Sequence, residues 1–318
     1  MIEISHLVKK YGGHTAVDDL SLTVEPGRIY GFLGPNGAGK STTMNIMTGY
    51  LGATSGTVKI NGYDIFAQPE EAKKCMGYLP ELPPLYMDMT VREYLNFVAE
   101  LKKLDKKERK QLIDEAMETT KISELETRLV RNLSKGYRQR VGFAQAILGY
   151  PEIIILDEPT VGLDPKQIIE IRELIRELGK KHTVILSSHI LTEVSAVCDY
   201  IFILSKGKLV ASDTTENLLN EMSGAQEISL LVEGERECAM SVIGEIADVE
   251  KIKAVETTEE AAVQLTVLAK KGCDIRKELF HACVDNGLCI LAMSQMTRSL
   301  EDVFLELTES TKSVQEEA

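Results

Sequence analysis

Tryptophan is absent, and aromatic residues of all kinds make up only 5% of the 318-residue sequence. Its 44% of hydrophobic residues are therefore mostly aliphatic. Long apolar runs are absent too. The longest purely aliphatic run is Ile153-Ile154-Ile155-Leu156, far short of the roughly 20 residues that cross a bilayer. A membrane-spanning helix is excluded. The start, Met1-Ile2-Glu3-Ile4-Ser5, has no basic region followed by an apolar core, so no secretory signal peptide is expected. The six cysteines, at 75, 198, 238, 273, 283 and 289, form no CxxC pair. Neither a disulfide framework nor a zinc site is expected, and the cysteines read as small apolar residues in a reducing compartment, the cytosol. No tandem repeat, Ser-His-Asp arrangement or Asn-Lys-x-Asp guanine motif is present.

Positive charge is in short supply. Lys and Arg number 36 against 49 Asp and Glu, a net charge of −13, which gives little support for nucleic-acid binding. The run Lys102-Lys103-Leu104-Asp105-Lys106-Lys107-Glu108-Arg109-Lys110 is basic, but such a run is expected to be a solvated helix face. The imbalance is uneven. Residues 221–318 hold 20 acidic and 9 basic side chains, whereas 1–220 hold 29 and 27. That shift, with a length that fits about two domains, places a boundary near 220.

The fold class expected is α/β followed by a small α+β domain. Ile2-Glu3-Ile4 and Leu20-Ser21-Leu22-Thr23-Val24 alternate in period two, and Glu25-Pro26-Gly27 turns the chain. Ile29 to Leu33 is an apolar strand followed by a glycine-rich turn and a helix from about Lys40. Residues 90–150 read as mostly helical, opened by the capping box Thr90-Val91-Arg92-Glu93. Ile153–Leu156 and Thr183–Leu186 are strands covered on both faces, with a helix over Ile168–Leu178 between them, which implies a parallel sheet. After residue 225 the order is strand, helix, strand, strand, helix, strand, the split ferredoxin-like pattern. Ser299–Leu307 reads as a closing amphipathic helix.

Gly34-Pro35-Asn36-Gly37-Ala38-Gly39-Lys40-Ser41 fits the phosphate-loop pattern GxxxxGK[ST]. Glycines let the backbone curl so that amides face phosphate oxygens, and the next helix adds its positive end. Lys40 can reach the β and γ phosphates, and the Ser41 hydroxyl can ligate Mg²⁺. Asp157 and Glu158 close the Ile153–Leu156 strand. At that strand end Asp157 can hold Mg²⁺, directly or through water, and Glu158 can polarise a water for attack on the γ phosphate. Without the phosphate loop, two solvated acids would explain the same residues equally well. Leu133-Ser134-Lys135-Gly136-Tyr137 opens another helix. Ser134 is a natural cap and Gly136 allows close approach, so a second anion-reading helix start lies far from the first. That suggests a composite site, shared between two chains; without the other motifs an ordinary capped helix would explain the segment.

The order of these elements, with Val161-Gly162-Leu163-Asp164 and then His189, resembles the ATP-binding subunit of ABC transporters. The resemblance covers about residues 1–215, with 94 positions between Lys40 and Ser134. It implies an ABC-type ATPase domain over 1–220, a helical subdomain at about 88–150 and an accessory domain over 221–318. It also implies roles. Tyr11 looks like the aromatic that stacks on adenine, and Val17 and Thr42 join the phosphate loop as nucleotide-binding positions. Ser134, Lys135 and Gly136 look like the signature that meets ATP held by the other subunit. His189 looks like the histidine that bonds the γ phosphate; seen alone it would as readily be a buried structural residue.

Two departures stand out. The family usually has Gln where this sequence has Glu81; a carboxylate can still ligate Mg²⁺, but it adds negative charge near a triphosphate. The signature is Leu-Ser-Lys-Gly-Tyr rather than Leu-Ser-Gly-Gly-Gln. Both resemble a subgroup in which the ATPase chain serves a separately encoded export permease. The implied protein is a Mg²⁺-dependent ATPase at the cytoplasmic face of the cell membrane. It would be a homodimer, or a heterodimer with a second ATPase chain, and would power a transmembrane permease. One rival is a non-transport ABC ATPase acting on ribosomes or DNA. Another is a P-loop kinase or GTPase, which leaves Ser134-Lys135-Gly136 and His189 unexplained.

Overall fold

The computed structural model describes residues 1–222, 227–255, 261–270 and 273–296. The chain divides into two compact units at Thr215/Glu216.

The first unit begins with two long strands, β1 (Ile2–Tyr11) and β2 (His14–Val24), then β3 (Ile29–Leu33) and α1 (Lys40–Met47). There follow β4 (Ser55–Ile60), β5 (Tyr63–Asp64), α2 (Pro69–Lys74) and β6 (Met76–Leu79). A helical stretch holds α3 (Val91–Leu101), α4 (Arg109–Thr119) and α5 (Lys135–Ile147). The unit continues through β7 (Ile153–Leu156), α6 (Pro165–Gly179), β8 (Thr183–Ser188), α7 (Leu191–Ser195), β9 (Tyr200–Ser205) and β10 (Lys208–Thr214). Helix α8 (Thr215–Met222) begins at the division.

Strands β2-β1-β4-β5 form an antiparallel sheet, and β10-β9-β3-β8-β7-β6 form a second. In the second sheet all neighbours are parallel except β10 on β9. Strands β3, β7 and β8 are buried along their whole length, as unbroken apolar runs in a covered parallel sheet must be. One core joins the two sheets: Ile2, Ile4 and Leu7 from β1 pack with Phe32, Ile153, Ile155, Ile185 and Phe202. Each such side chain contributes about 1.5–3 kcal/mol of burial. The capping box at Thr90 forms: its hydroxyl accepts from the Glu93 amide at 3.2 Å, and Glu93 Oε2 accepts from the Thr90 amide at 2.8 Å. Strands β4 to β6 and β9 to β10 were not expected from the pattern. All but β9 are short or largely exposed, and their apolar spacing is weak; β9 is a buried apolar run, Ile201 to Leu204, of the length that periodicity alone does not assign.

The second unit runs β11 (Glu227–Glu233), α9 (Arg236–Gly244), β12 (Val249–Val255), β13 (Ala262–Ala269), α10 (Arg276–Asp285) and β14 (Cys289–Met296). Its sheet order is β12-β13-β11-β14, antiparallel throughout, which is the split ferredoxin-like arrangement. Alternate residues Ile228, Leu230 and Val232 of β11 are fully buried and pack with Ala239 and Ile243 of α9 and Leu279 and Cys283 of α10. The helix expected over Ser299–Leu307 lies outside the described residues.

Candidate active site

Four parallel strands end on one edge of the second sheet. Leu33 of β3 pairs with Ser188 of β8, Leu186 of β8 with Leu156 of β7, and Leu156 with Leu79 of β6. Parallel strands deliver their following loops side by side. Those loops carry Gly34–Ser41, Glu81, Asp157-Glu158 and His189. A cavity of about 410 Å³ lies among them, lined by residues 36–42, Glu81, Glu158, Val161 and His189.

The loop after β3 is shaped by glycine. Gly37 and Gly39 have φ of +81° and +98°, and a side chain on Gly39 would also run into the Ala16 carbonyl. Helix α1 starts at Lys40, so its first amides, which lack helical acceptors, lie at the cavity, an arrangement that suits an anion. Lys40 is buried. Its Nζ donates to the Gly34 carbonyl at 2.6 Å and the Pro35 carbonyl at 3.3 Å, and stands 3.7 Å from Glu158 Oε1. Burial lowers its pKa, and the charges of Glu158 and Asp157 pull the other way.

Asp157 and Glu158 are both buried, at 4% and 8% exposure. Ser41 Oγ donates to Asp157 Oδ1 at 3.1 Å, and Ser187 Oγ donates to the same oxygen at 2.6 Å. Ser187 Oγ also accepts from the Glu158 amide at 2.8 Å. Glu158 has φ of +46°, a left-handed conformation that a non-glycine residue holds only at a cost of order 1 kcal/mol or more. Its Oε2 lies 3.0 Å from His189 Nδ1. An ionised carboxylate only accepts, so Nδ1 carries the proton and Nε2 of a neutral ring is left as an acceptor.

Not every expected position lines this cavity. Tyr11 is half-exposed and lies outside the lining, with Lys9 Nζ 5.1 Å from its ring centre. Val17 is fully buried in the core, so any contact it makes with a ligand is through its backbone. Gly34 and Pro35 lie behind Lys40 as its carbonyl acceptors. Ser134 caps α5, accepting from the Tyr137 amide at 3.4 Å. Lys135 and Gly136 turn toward the Gly162 and Gln167 side: a Cβ on Gly162 would collide with Lys135 Nζ, and one on Gly136 with the Gln167 amide. None of residues 134–136 lines the cavity.

The sequence pattern did not single out Ser187, Thr160, Gln139 or Glu193. Gln139 is buried and donates from Nε2 to the Pro159 carbonyl at 3.1 Å. A signal existed for Ser187: strand β8 passes from apolar residues into two serines just before His189.

The ABC transporter family profile matches residues 17–161. A bacitracin transport ATP-binding protein from Bacillus licheniformis is 35% identical over 96% of this chain and 97% of its own length. The chain is an ATP-binding subunit of the ABC transporter family. A linearmycin resistance ATP-binding protein from Bacillus subtilis (strain 168) is 31% identical over 98% of this chain and 99% of its own. The solved structure of an ATP-binding subunit of an ABC transporter superposes with a TM-score of 0.64 at 30% identity, covering 70% of this chain and 93% of that one. Like the rest of its family, this ABC subunit binds and hydrolyses ATP in support of transport. Its phosphate loop and Glu158, one of the two carboxylates after β7, line one cavity, whereas Asp157 lies outside that lining.

Proposed function

We propose that this ABC subunit works as a pair, homodimeric or with a second ATPase chain, at the cytoplasmic face of a membrane. The pair drives a separately encoded permease, in the direction of export. The observation that carries the pairing is a separation. The phosphate loop, Glu158 and His189 share one cavity, while the capped start of α5 at Ser134 does not reach it. A second copy placed head to tail supplies its Ser134–Gly136 to the ATP held here, and receives the same in return. The export direction is supported by the names of the relatives, one for bacitracin transport and one for linearmycin resistance.

In this mechanism residues 37–41 hold the phosphates through backbone amides, and Lys40 leaves its loop carbonyls for the β and γ phosphates. Glu158 takes a proton from the attacking water, and His189 Nε2, turned from the carboxylate, meets the γ phosphate when its ring is protonated. Tyr11 offers its free face to adenine. Ser41, Asp157 and Glu81 would hold Mg²⁺. Among the described residues no group of three or more His, Cys, Asp or Glu can hold a metal alone. Few, hard oxygen donors suit Mg²⁺, which keeps waters and phosphate oxygens as its other ligands. When bound, the ion would neutralise charge on the β and γ phosphates. ATP moves the permease because it binds the closed pair better than the open one, the only way a ligand shifts such a balance.

The test is association. In the full chain carrying Glu158→Gln, ATP and Mg²⁺ should convert monomer to dimer on a sizing column. Adding Ser134→Arg should abolish the dimer while ATP affinity stays within about threefold. A monomer that hydrolyses ATP at full rate overturns the shared site. Recovery with ribosomes or DNA, rather than with an integral membrane protein, overturns the transport role.

A further inference from the structure

Glu193 is a carboxylate where packing alone would call for an aliphatic residue. It sits on the short helix α7, between the buried Leu191 and Val194, and is 7% exposed. Burial of a carboxylate is costly unless its oxygens are hydrogen-bonded. The bonds it makes are specific. Its Oε2 accepts from Thr160 Oγ1 at 2.6 Å and from Ser188 Oγ at 3.1 Å. Thr160 lies two residues after Glu158, inside the turn closed by the Val161 amide on the Glu158 carbonyl at 3.2 Å. Ser188 immediately precedes His189, and its Oγ in turn accepts from the Ile190 amide at 3.0 Å.

One carboxylate oxygen thus ties the turn that follows β7 to the turn that follows β8. We propose that Glu193 is a positioning residue: it locks the Glu158 turn to the His189 turn, so that base and histidine meet in one register. The strain at Glu158, with φ of +46°, makes such a lock necessary, because a left-handed glutamate relaxes unless its neighbours hold it. Gln139 of α5 holds the same turn from the other side through the Pro159 carbonyl. The proposal rests on Glu158 acting as the base.

The test uses steady-state and single-turnover phosphate release by the full chain, beside ATP binding measured with a non-hydrolysable analogue. Glu193→Ala should lower kcat about 100-fold, the scale on which small misplacements act, with analogue affinity within about threefold. Glu193→Gln, whose amide oxygen still accepts, should recover most of the rate. In a Glu158→Gln background, Glu193→Ala should cost less than about threefold, because the group it positions is already gone. Equal losses in both backgrounds, or an unchanged kcat in Glu193→Ala, overturn the proposal. If Glu193→Ala does not fold, Thr160→Val and Ser188→Ala each remove one hydroxyl and should each slow turnover about tenfold, and wild-type rates in both overturn it. Brisk turnover by Glu158→Gln itself sinks the base assignment instead. A dead Glu158→Gln beside a fully active Glu193→Ala sinks only the lock.

Discussion

The two units bury different kinds of atoms. Among the described residues, every buried polar or charged side chain lies between Lys40 and Ser205, in the first unit. They include Lys40, Gln139, Arg140, Asp157, Glu158 and Glu193. The core of the second unit, from Ile228 to Leu288, is apolar throughout, with Cys283 serving as one more small hydrophobe. Burying polar groups costs stability unless each finds a partner, so a fold that does it repeatedly has a reason beyond folding. For Lys40 and Glu158 the reason is a cavity where charge must be handled. The second unit follows the ordinary economy of a small α+β core.

The largest expected effect breaks the comparison at its polar end. Glu158→Gln should lower ATP turnover about 10²–10⁴-fold, the usual weight of general-base catalysis, with ATP binding retained. Phosphate release and equilibrium binding measure the two separately. At the apolar end, Leu230→Ala in β11 should destabilise the second unit by about 2–5 kcal/mol, read by chemical denaturation. ATP affinity should stay within about twofold, and a matching loss of affinity would show that the units are not energetically separate. The smallest effect concerns a polar group that does not serve the cavity. Lys102 donates from Nζ to the carbonyls of Gln145, Ala146 and Leu148 at the C-terminal end of α5, and burial pushes its pKa down to about 8. The unfolded value is about 10.4, so between roughly pH 8 and 10 the unfolded chain binds more protons. Stability therefore rises with pH across that window, by at most about 1.4 kcal/mol per unit. Lys102→Met should flatten the rise, measured as the denaturation midpoint against pH.

Much of the site was legible because its chemistry is local. The phosphate loop needs glycines at fixed offsets beside a lysine, and Gly37, Gly39 and Lys40 declare it within eight residues. Asp157-Glu158 declares itself by standing at the end of four aliphatic residues. The split ferredoxin-like order after residue 225 was legible for a similar reason: its strands bury alternate residues, and its helices are short and separate. Thr160 and Glu193 were not legible, because nothing in their own neighbourhoods distinguishes them from an ordinary hydroxyl and a surface acid, and Ser187 offered only the change from apolar residues to two serines before His189. Their roles exist only where β7 and β8 lie next to each other. Val17 shows the opposite limit. A position counted with the nucleotide contacts proves to have a side chain buried between sheets, because a bulge in β2 between Val17 and Leu20, where Asp19 has φ of +54°, shifts the alternation so that both face inward.

By itself the sequence determined the glycine-shaped loop before α1, the strand-end carboxylates, the capped helices at Thr90 and Ser134 and the change of composition near residue 220. Each depends on residues close together in the chain, where backbone geometry and side-chain chemistry act without distant partners. Only the tertiary structure decided that Ser134 lies away from the cavity its chemistry suits, and that Ser187 and Glu193 bind two strand ends together. Those outcomes depend on sheet order, and sheet order is settled by which apolar faces cover one another across more than a hundred residues of chain.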